Sequence, residues 1–282
     1  MASTDALQLK ALSQSDSAGC MALSAEAGWN QTLDDWALFM RHGTVFGLPK
    51  GDGRPVATGA ILPYPGGFAW ISMVLVTASW RRAHIGTGIL QACCAELTRR
   101  GLVAVLDATP AGERVYRPLG FEPMFGLTRW QGAGGGNNGE ISADTRRMSA
   151  RDIRVVAAVD AAAFGARRAF LLESFFQRAP HLAFTTQNLD GFVLARPGRI
   201  ATQIGPLIAA NEADALALLR AALGATPGPV FLDIADRWKA LADLLRQREF
   251  TVQRPFLRMA FRRGDSFGDA ARTFVVAGPE FG

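Results

Sequence analysis

The 282-residue sequence predicts an α/β protein built from two halves of the same organisation. A glycine-rich segment divides the chain near its middle, and each half alternates apolar, β-branched runs with segments of helical periodicity. In each half a late phenylalanine follows the start of a strand by 51 residues, from Trp70 to Phe121 and from Arg199 to Phe250. This repeat indicates duplication of one α/β unit, and two unrelated α/β domains are the alternative.

The first half predicts the order strand, helix, strand, helix, strand. Trp70–Val76 is apolar and β-branched, as in a buried strand, and Gly86–Arg100 has apolar residues at helical spacing with arginines in its last turn. The next three predicted elements are a strand over Val103–Leu106, a short helix over Ala111–Arg117 and a closing strand over Phe125–Trp130. This half therefore contains the elements of one complete α/β unit.

The second half repeats this order after the glycine-rich segment. Its predicted elements are strands over Arg199–Ile204, Val230–Ile234 and Phe256–Phe261, and helices over Glu212–Leu223 and Arg237–Arg246. The dividing segment, Gln131–Gly139, carries five glycines and two asparagines. Such a segment buries little apolar surface to offset its backbone entropy. We therefore expect a flexible linker over residues 132–140, between domains at 1–131 and 141–282.

The composition is that of a globular protein. Hydrophobic residues make up 49% of the chain and charged residues 20%, which excludes a mostly disordered or fibrous protein. The longest apolar run, Ala69–Ala78, is far shorter than the roughly 18–20 residues that cross a bilayer. The first ten residues show no charged-then-apolar signal pattern, so we expect a cytoplasmic protein without a membrane partner.

Charge and cysteine content give two further expectations. The net charge is +5, but the arginines are scattered, which favours a solvated surface over a nucleic-acid interface and still allows a small anionic ligand. The three cysteines, Cys20, Cys93 and Cys94, are odd in number and lie at no metal-ligand spacing. We expect them to be small buried residues in a reducing compartment.

The densest chemical signal lies at Val74–Gly88, where a strand passes through a short basic turn into glycines that open a helix. Unpaired amide groups at a helix start favour an anion, and Gly86 and Gly88 let a bulky ligand approach the backbone. Arg81 and Arg82 add guanidinium groups that match phosphate oxygens. The sequence therefore predicts a phosphate-binding loop, although neither a P-loop nor a GxGxxG fingerprint occurs. The alternative is an ordinary helix start beside two surface arginines.

This segment resembles the signature of the GCN5-related N-acetyltransferases (GNAT), in which a strand and turn lead into Arg/Gln-x-x-Gly-x-Gly/Ala at a helix start. Arg81–Gly86 occupies that pattern, with His84 where the first glycine is usual. The resemblance implies an α/β (α+β) fold of two tandem GNAT-like domains, each a mixed, mostly antiparallel twisted sheet flanked by helices. It also implies acetyl-coenzyme A (acetyl-CoA) as co-substrate, and no metal. The residues that it implies for coenzyme binding are Val74, Leu75, Val76, Arg81, Arg82, Ala83, His84, Ile85, Gly86, Thr87 and Gly88.

The resemblance continues downstream, because Val115–Phe121 is similar to the family's tyrosine-x-x-leucine-glycine-phenylalanine segment. It implies that Tyr116 is the general acid that protonates the departing coenzyme A (CoA) thiolate. A phenol with a pKa of about 10 can donate a proton to a thiolate whose conjugate acid has a pKa of about 8–9. The alternative for Tyr116 is a half-buried aromatic residue at the junction of helix and sheet.

No residue is assigned as the general base. The family often has an asparagine and a glutamate at positions where this chain has Thr109 and Val103–Val105. Asp107 is the nearest carboxylate in sequence, but capping of the following turn is its simpler role. A water relay is the alternative to a protein base.

The acceptor site is expected near Ala27–Met40, where the family places helices that line it. Trp29 is a candidate for the pocket wall, and Asp35 for attracting a cationic amine. Asp35 also forms a good capping box with Thr32, and the spacing of Trp36 is typical of a core residue. The substrate candidates are therefore Trp29, Asp35 and Asp107.

The second half resembles the same fold in degenerate form, because Ala209-Ala210-Asn211 replaces the arginine–glycine turn and no tyrosine precedes Glu249. Its last residues, Ala277–Gly282, are similar to the end of bacterial tandem acetyltransferases. The sequence thus predicts an acetyl-CoA-dependent N-acetyltransferase with a silent second half, acting by direct attack of a small-molecule or peptide amine. The alternative is a non-catalytic acyl-CoA sensor, and a homodimer is possible.

Overall fold

The computed structural model describes residues 8–50, 54–136 and 142–282. The chain divides into two compact units, Met1–Leu106 and Asp107–Gly282. This division falls ahead of the glycine-rich segment, which lies within the second unit. The domain boundaries inferred from the sequence stay a prediction.

The first unit is a sheet whose strands follow one another in chain order. Neighbouring strands are antiparallel, except for the last two, β4 and β5, which run parallel. The strands are β1 (Lys10–Leu12), β2 (Thr44–Pro49), β3 (Pro55–Tyr64), β4 (Phe68–Val76) and β5 (Val103–Ala108), and the helices are α1 (Ser17–Glu26), α2 (Leu33–His42) and α3 (Ile85–Arg99). The strand and helix predicted around the phosphate-binding loop are confirmed within two residues at each end.

Local sequence explains how two of these helices are placed. Thr32 and Asp35 form the expected capping box at the start of α2, and Trp36 is fully buried behind it. Helix α3 packs on β3 at Gly59, where any Cβ atom would overlap the Ile89 side chain. The glycine therefore sets how closely α3 approaches the sheet.

The second unit is also a mixed, mostly antiparallel sheet, in the order β12-β6-β11-β13-β10-β9-β8-β7. Strands β10 and β11 run parallel. The strands are β6 (Phe121–Gly135), β7 (Thr145–Arg147), β8 (Phe184–Thr186), β9 (Phe192–Arg196), β10 (Thr202–Ile208), β11 (Pro227–Ala235), β12 (Thr251–Phe261) and β13 (Thr273–Val275), and the helices are α4 (Pro110–Tyr116), α5 (Ile153–Phe164), α6 (Ala169–Arg178), α7 (Glu212–Ala225) and α8 (Lys239–Gln247). Leucines and alanines of α7 and α8 form its apolar core with β9, β10 and β11.

The order of elements predicted for the second half is confirmed, but its first strand is misplaced. Pro197 and Gly198 end β9, and the chain bends through Arg199–Ala201 before β10 begins at Thr202. Proline and glycine favour such a turn over a continuing strand. The equal 51-residue spacing of the two halves is therefore not kept, although the order of elements is.

The expected flexible linker is wrong for residues 132–135, which belong to the end of β6. They pair with β11 in an unbroken antiparallel ladder from Pro227–Gly135 to Ala235–Leu127. A Cβ atom on Gly132 would lie 2.5 Å from the Phe250 ring, and one on Gly134 would overlap the Thr226 carbonyl. These glycines thus allow close packing. The remainder of the predicted linker, residues 137–140, lies outside the described residues.

Four arginines of the second unit are buried, so the expectation of a solvated surface is wrong for them. Each pairs with one buried carboxylate, as listed here: Arg129 with Asp233, Arg168 with Asp160, Arg196 with Glu280, and Arg258 with Asp107. A planar guanidinium can bind both oxygens of a carboxylate, which makes burial of the two charges tolerable. These arginines therefore belong to the interior of the fold.

Candidate active site

The candidate site begins where β4 leaves β5. Their parallel ladder runs from Phe68–Val103 to Trp70–Val105, while β4 continues to Val76. Just beyond Trp70 the strand contains a bulge, because Ala60 faces Ser72 and Thr58 faces Leu75, so that two β4 residues oppose one β3 residue. The second half of β4 thereby parts from β5 and leaves a slot in the sheet, called here the β4 slot.

Met73 carries the strain of this bulge. It is buried and has a φ of 53°, in the left-handed region that side chains disfavour. The hydroxyl of Thr58 donates a hydrogen bond to the Met73 carbonyl at 2.9 Å, which holds the distorted backbone in place. Backbone distortion of this kind is common beside functional sites.

The basic turn after β4 is held by contacts to the strand and to α1. A single 3-10 turn covers Ala78–Trp80, and the Arg81 Nε atom donates to the Val76 carbonyl at 3.0 Å. Arg82 is exposed, with a φ of 67°. The two predicted phosphate-binding arginines therefore flank the end of the β4 slot.

Helix α3 starts without a cap. No side chain caps it, and its first internal hydrogen bond runs from the Gly88 amide to the His84 carbonyl at 3.0 Å. In the described part of the chain, the amides of Ile85, Gly86 and Thr87 have no hydrogen-bond partner. A Cβ atom on Gly86 would meet only Val76, at 3.7 Å, so the space above this turn is open. Three free amides and the helix dipole make an anion site.

The backbone conformation at His84 is one that glycine adopts more easily than other residues. As the N-cap residue of α3 it has a φ of 55° and a ψ of 12°, which is left-handed backbone. A side chain there costs roughly 1–2 kcal/mol relative to ordinary helical geometry. The side chain is exposed, and the loop geometry is formed despite the histidine.

Glu26, at the end of α1, is a residue of the site that sequence reasoning missed. Its carboxylate accepts hydrogen bonds from the Ala78 amide at 2.5 Å and from the Thr77 hydroxyl at 2.8 Å. These two bonds, with the nearby charge of Arg81, lower the pKa of Glu26 below its ordinary value. Glu26 thus ties α1 to the turn that presents the arginines, and its distance in sequence gave no signal of this contact.

The acceptor candidates of the first unit differ in availability. Asp35 is buried, and its Oδ2 accepts from the Thr32 amide at 2.9 Å, so the carboxylate serves the capping box. Trp29 is half-buried in the loop between α1 and α2. In the same loop, Gln31 is 5% exposed and its Oε1 has no hydrogen-bond partner. A buried acceptor without a partner is costly, so Gln31 is a site candidate that sequence reasoning missed.

In the second unit, Tyr116 lies at the end of α4. Thr109 caps this helix by accepting from the Gly112 amide at 3.2 Å. The half-buried Tyr116 ring folds back over Gly112 and contacts Phe121 at a centroid distance of 5.9 Å. A Cβ atom on Gly112 would lie 3.2 Å from the phenol oxygen. The small residue at 112 therefore leaves room for the hydroxyl.

Asp107 forms an ion pair with Arg258. Both of its oxygens accept from Arg258, at 2.8 and 2.9 Å, and its side chain is completely buried. Burial raises the pKa of this carboxyl, against the opposing effect of Arg258. Asp107 neither caps the following turn, which Thr109 does, nor offers a free oxygen to an amine.

The cysteines are free thiols, and two of the three are buried. Burial raises the pKa of Cys93 to about 12 and that of Cys94 to about 11. Neither thiol is therefore a nucleophile near neutral pH. In the described ranges no group of three His, Cys, Asp or Glu side chains is placed to hold a metal, and no helix is long and apolar enough to cross a membrane.

Comparison with known proteins gives a match in each half of the chain. Residues 13–121 match the acetyltransferase (GNAT) family, and residues 156–273 match an acetyltransferase (GNAT) domain family. The Bacillus subtilis protein described as an uncharacterized N-acetyltransferase, YitH, is 23% identical over 238 residues, which cover 82% of this chain and 83% of that protein. The chain belongs to the GNAT superfamily and is a tandem member of it.

Solved structures share the tandem fold. A protein from Pyrococcus horikoshii aligns with a TM-score of 0.77 and 18% identity, over 100% of this chain and 98% of its own. A GCN5-related N-acetyltransferase from Sphaerobacter thermophilus aligns with a TM-score of 0.66 and 16% identity, over 94% and 99%. A tandem GNAT protein of the clavulanic acid biosynthesis pathway, solved without acetyl-CoA, aligns with a TM-score of 0.60 and 13% identity. This alignment covers 90% of this chain and 97% of that protein. At these identities the likeness establishes the fold.

Proposed function

We propose that the protein is an acetyl-CoA-dependent N-acetyltransferase that moves an acetyl group to a primary amine by direct attack. The observation that carries this proposal is the β4 slot, which leads into the uncapped start of α3. Membership of the GNAT superfamily supports acyl transfer in general. Three points belong to the proposal: acetyl-CoA as the acyl donor, a primary amine as the acceptor, and Tyr116 as the general acid.

The residues of the loop fit a coenzyme that carries a pyrophosphate. The free amides of Ile85, Gly86 and Thr87 would donate hydrogen bonds to its oxygens, with Arg81 and Arg82 supplying positive charge. Along the slot, Val74, Leu75 and Val76 would offer backbone groups to the extended arm. Trp80 is 40% exposed beside the turn and offers a flat surface on which a base can stack.

The bound coenzyme would supply a thioester, that is, an acetyl group with a thiolate leaving group. Tyr116 would then provide the proton that the sulfur takes up as the carbon–sulfur bond breaks and the nitrogen–carbon bond forms. The phenolate left on Tyr116 would take up a proton from water before the next turnover. The amine loses one proton to water, because both oxygens of Asp107 are held by Arg258. The raised pKa values of Cys93 and Cys94 argue against a covalent acyl-enzyme.

The amine is proposed to enter beside the loop between α1 and α2. This loop directly follows Glu26, which contacts the turn at the end of β4. The unpartnered Gln31 Oε1 atom is suited to accept a hydrogen bond from the amine, and Trp29 would border it. Gln31→Leu is then expected to raise KM for the amine several-fold and to leave the affinity for CoA unchanged.

A non-catalytic acyl-CoA sensor is the second candidate. It is favoured by the engaged carboxylates, since Asp35 serves a cap and Asp107 an ion pair. One experiment separates the two functions: thiol release from acetyl-CoA by the full chain with a panel of small amines, amino acids and peptides, alongside CoA binding. Turnover with any amine supports the enzyme, and binding without turnover across the panel supports the sensor. The absence of binding contradicts both.

A further inference from the structure

The second unit contains a counterpart of the β4 slot. By the repeated order of elements, β10 and β11 correspond to β4 and β5. They too run parallel, over a ladder from Thr202–Val230 to Ile204–Leu232. Beyond it the register of β10 against β9 shifts at Gly205-Pro206, much as β4 is bulged. The two strands then part in the second unit as well.

The chain itself fills this second slot. Strand β13 lies between β10 and β11, where Val275 pairs with Leu207 on one side and with Ile234 on the other. The Val276 amide donates to the Asp233 carbonyl at 3.0 Å, and the Ala209 amide donates to the Arg272 carbonyl at 3.1 Å. Backbone groups that an open slot offers to a ligand are thus bonded to residues 272–276.

Side chains anchor β13 in this position. Phe274 is fully buried and stacks on Trp238 with a centroid distance of 4.0 Å. The Trp238 indole donates to the Thr273 carbonyl at 2.7 Å. A side chain on Gly205 would overlap the Val276 carbonyl, so that β10 carries glycine where β13 passes. The segment therefore fits the slot as a built part of the core.

The following residues extend the anchor. Arg196, on β9, donates to the Ala277 carbonyl at 2.5 Å and pairs with the Glu280 carboxylate at 2.6 Å. The same guanidinium lies 4.3 Å from the Phe175 ring centroid. Glu280 and Phe281 are both buried. An ion pair of this kind, inside the unit, holds the segment against release.

We propose that β13 occupies the second unit's coenzyme slot permanently, in the position of an extended coenzyme arm, and that each chain binds a single acyl-CoA. The inference rests on the proposed binding of the coenzyme by the first unit. Loss of the arginine–glycine turn removes the phosphate site of the second unit, and β13 removes the slot. The second unit is therefore closed to coenzyme by its own backbone.

Calorimetric titration of the full chain with CoA tests the stoichiometry. We expect one CoA per chain, and two would overturn the inference. Gly86→Asp places a negative charge in the first turn of α3, where acidic residues favour the helix but repel phosphate. This variant should lose all binding, and equimolar binding that survives in it would place CoA in the second unit. If the wild-type chain binds no CoA, the proposed function fails while the closed second slot stands.

Hydrogen exchange tests the occupation of the slot directly. The amides of residues 274–276 should be protected as well as those of β10 and β11, equally with and without saturating CoA. Gly205→Ala should speed their exchange by roughly tenfold or more, because the methyl group displaces β13. Gly228→Ala is the matched control, since Gly228 also has a positive φ but a Cβ atom there meets nothing within 4 Å. Rapid exchange in the wild type, a response to CoA, or equal effects of both variants would contradict the inference.

Discussion

Two parallel strand pairs in the described part of the chain, β4–β5 and β10–β11, start with similar ladders but differ beyond the ends of those ladders. In the first unit the slot is open and leads to three free amides at the start of α3. In the second unit β13 fills the slot, and the start of α7 is capped by Asn211, which accepts from the Asp214 amide at 3.0 Å. In the second unit, residues of the chain itself therefore fill the slot and cap the helix.

This difference teaches what a binding site requires beyond the fold. The same order of strands and helices is present in both units, but among the described residues the helix start of the first unit has no side-chain cap, whereas the Asn211 side chain caps the Asp214 amide in the second. Unpaired backbone groups cost stability, so a unit released from binding gains by satisfying them. In the second unit, pairing of β13 with β10 and β11 satisfies such groups.

The largest expected effect is on the chemical step. Tyr116→Phe should lower kcat by roughly 10²–10⁴-fold, because the departing thiolate loses its proton donor, while the affinity for CoA changes little. Steady-state kinetics with a responsive amine, together with CoA titration, measures both. Equal loss of kcat and affinity, or no loss, would remove Tyr116 from the acid role.

Next in size is the effect of charge beside the anion site. Arg82→Ala should weaken CoA binding about tenfold or more, because a charge-assisted hydrogen bond to phosphate is lost. Arg220→Ala is the control, since Arg220 is an exposed arginine on α7 of the second unit. Calorimetric titration should show no change for the control, and equal weakening by both variants would point to general electrostatics.

The position of the phenol can be changed without removing it. Gly112→Ala places a methyl group 2.9 Å from the Tyr116 ring, so the ring must move, while alanine favours the helix more than glycine. We expect kcat to fall about tenfold with unchanged or slightly raised stability. In the Tyr116→Phe background the same change should have no further effect on kcat. An additive loss in the double variant would assign Gly112 a role unrelated to the phenol.

The smallest expected effects are changes in the free energy of unfolding, and they have opposite signs at the starts of α3 and α7. His84→Gly should stabilise the protein by about 0.5–1 kcal/mol, because glycine adopts the left-handed backbone at this position without strain. Asn211→Ala should do the opposite and cost about 1 kcal/mol, because α7 loses its cap. Denaturant unfolding of both variants provides the comparison. Destabilisation by His84→Gly would mean that the histidine side chain supports the loop.

Sequence reasoning predicted the loop well because its signals are local. The strand, the arginines and the glycine at the start of α3 lie within Val74–Gly88, and periodicity places them correctly. The capping box of Asp35 with Thr32 was recognised for the same reason. Short-range hydrogen bonds leave a pattern in the residues that form them.

Contacts between distant segments left no such pattern. Glu26 reaches Thr77 across 51 positions, and Arg258 reaches Asp107 across 151. The glycines of β6 suggested flexibility, whereas Gly132 makes room for Phe250 in the sheet. That β13 enters the second slot depends on tertiary pairing, which composition and spacing do not encode.

The most direct test of the account is a crystal structure of the full chain with CoA. We expect one CoA, with its pyrophosphate at the Ile85–Thr87 amides and its arm along Val74–Val76, and with β13 in place between β10 and β11. The position of the CoA thiol would then show which side chains surround the acceptor site. Coenzyme bound between β10 and β11, or away from the start of α3, would contradict the account.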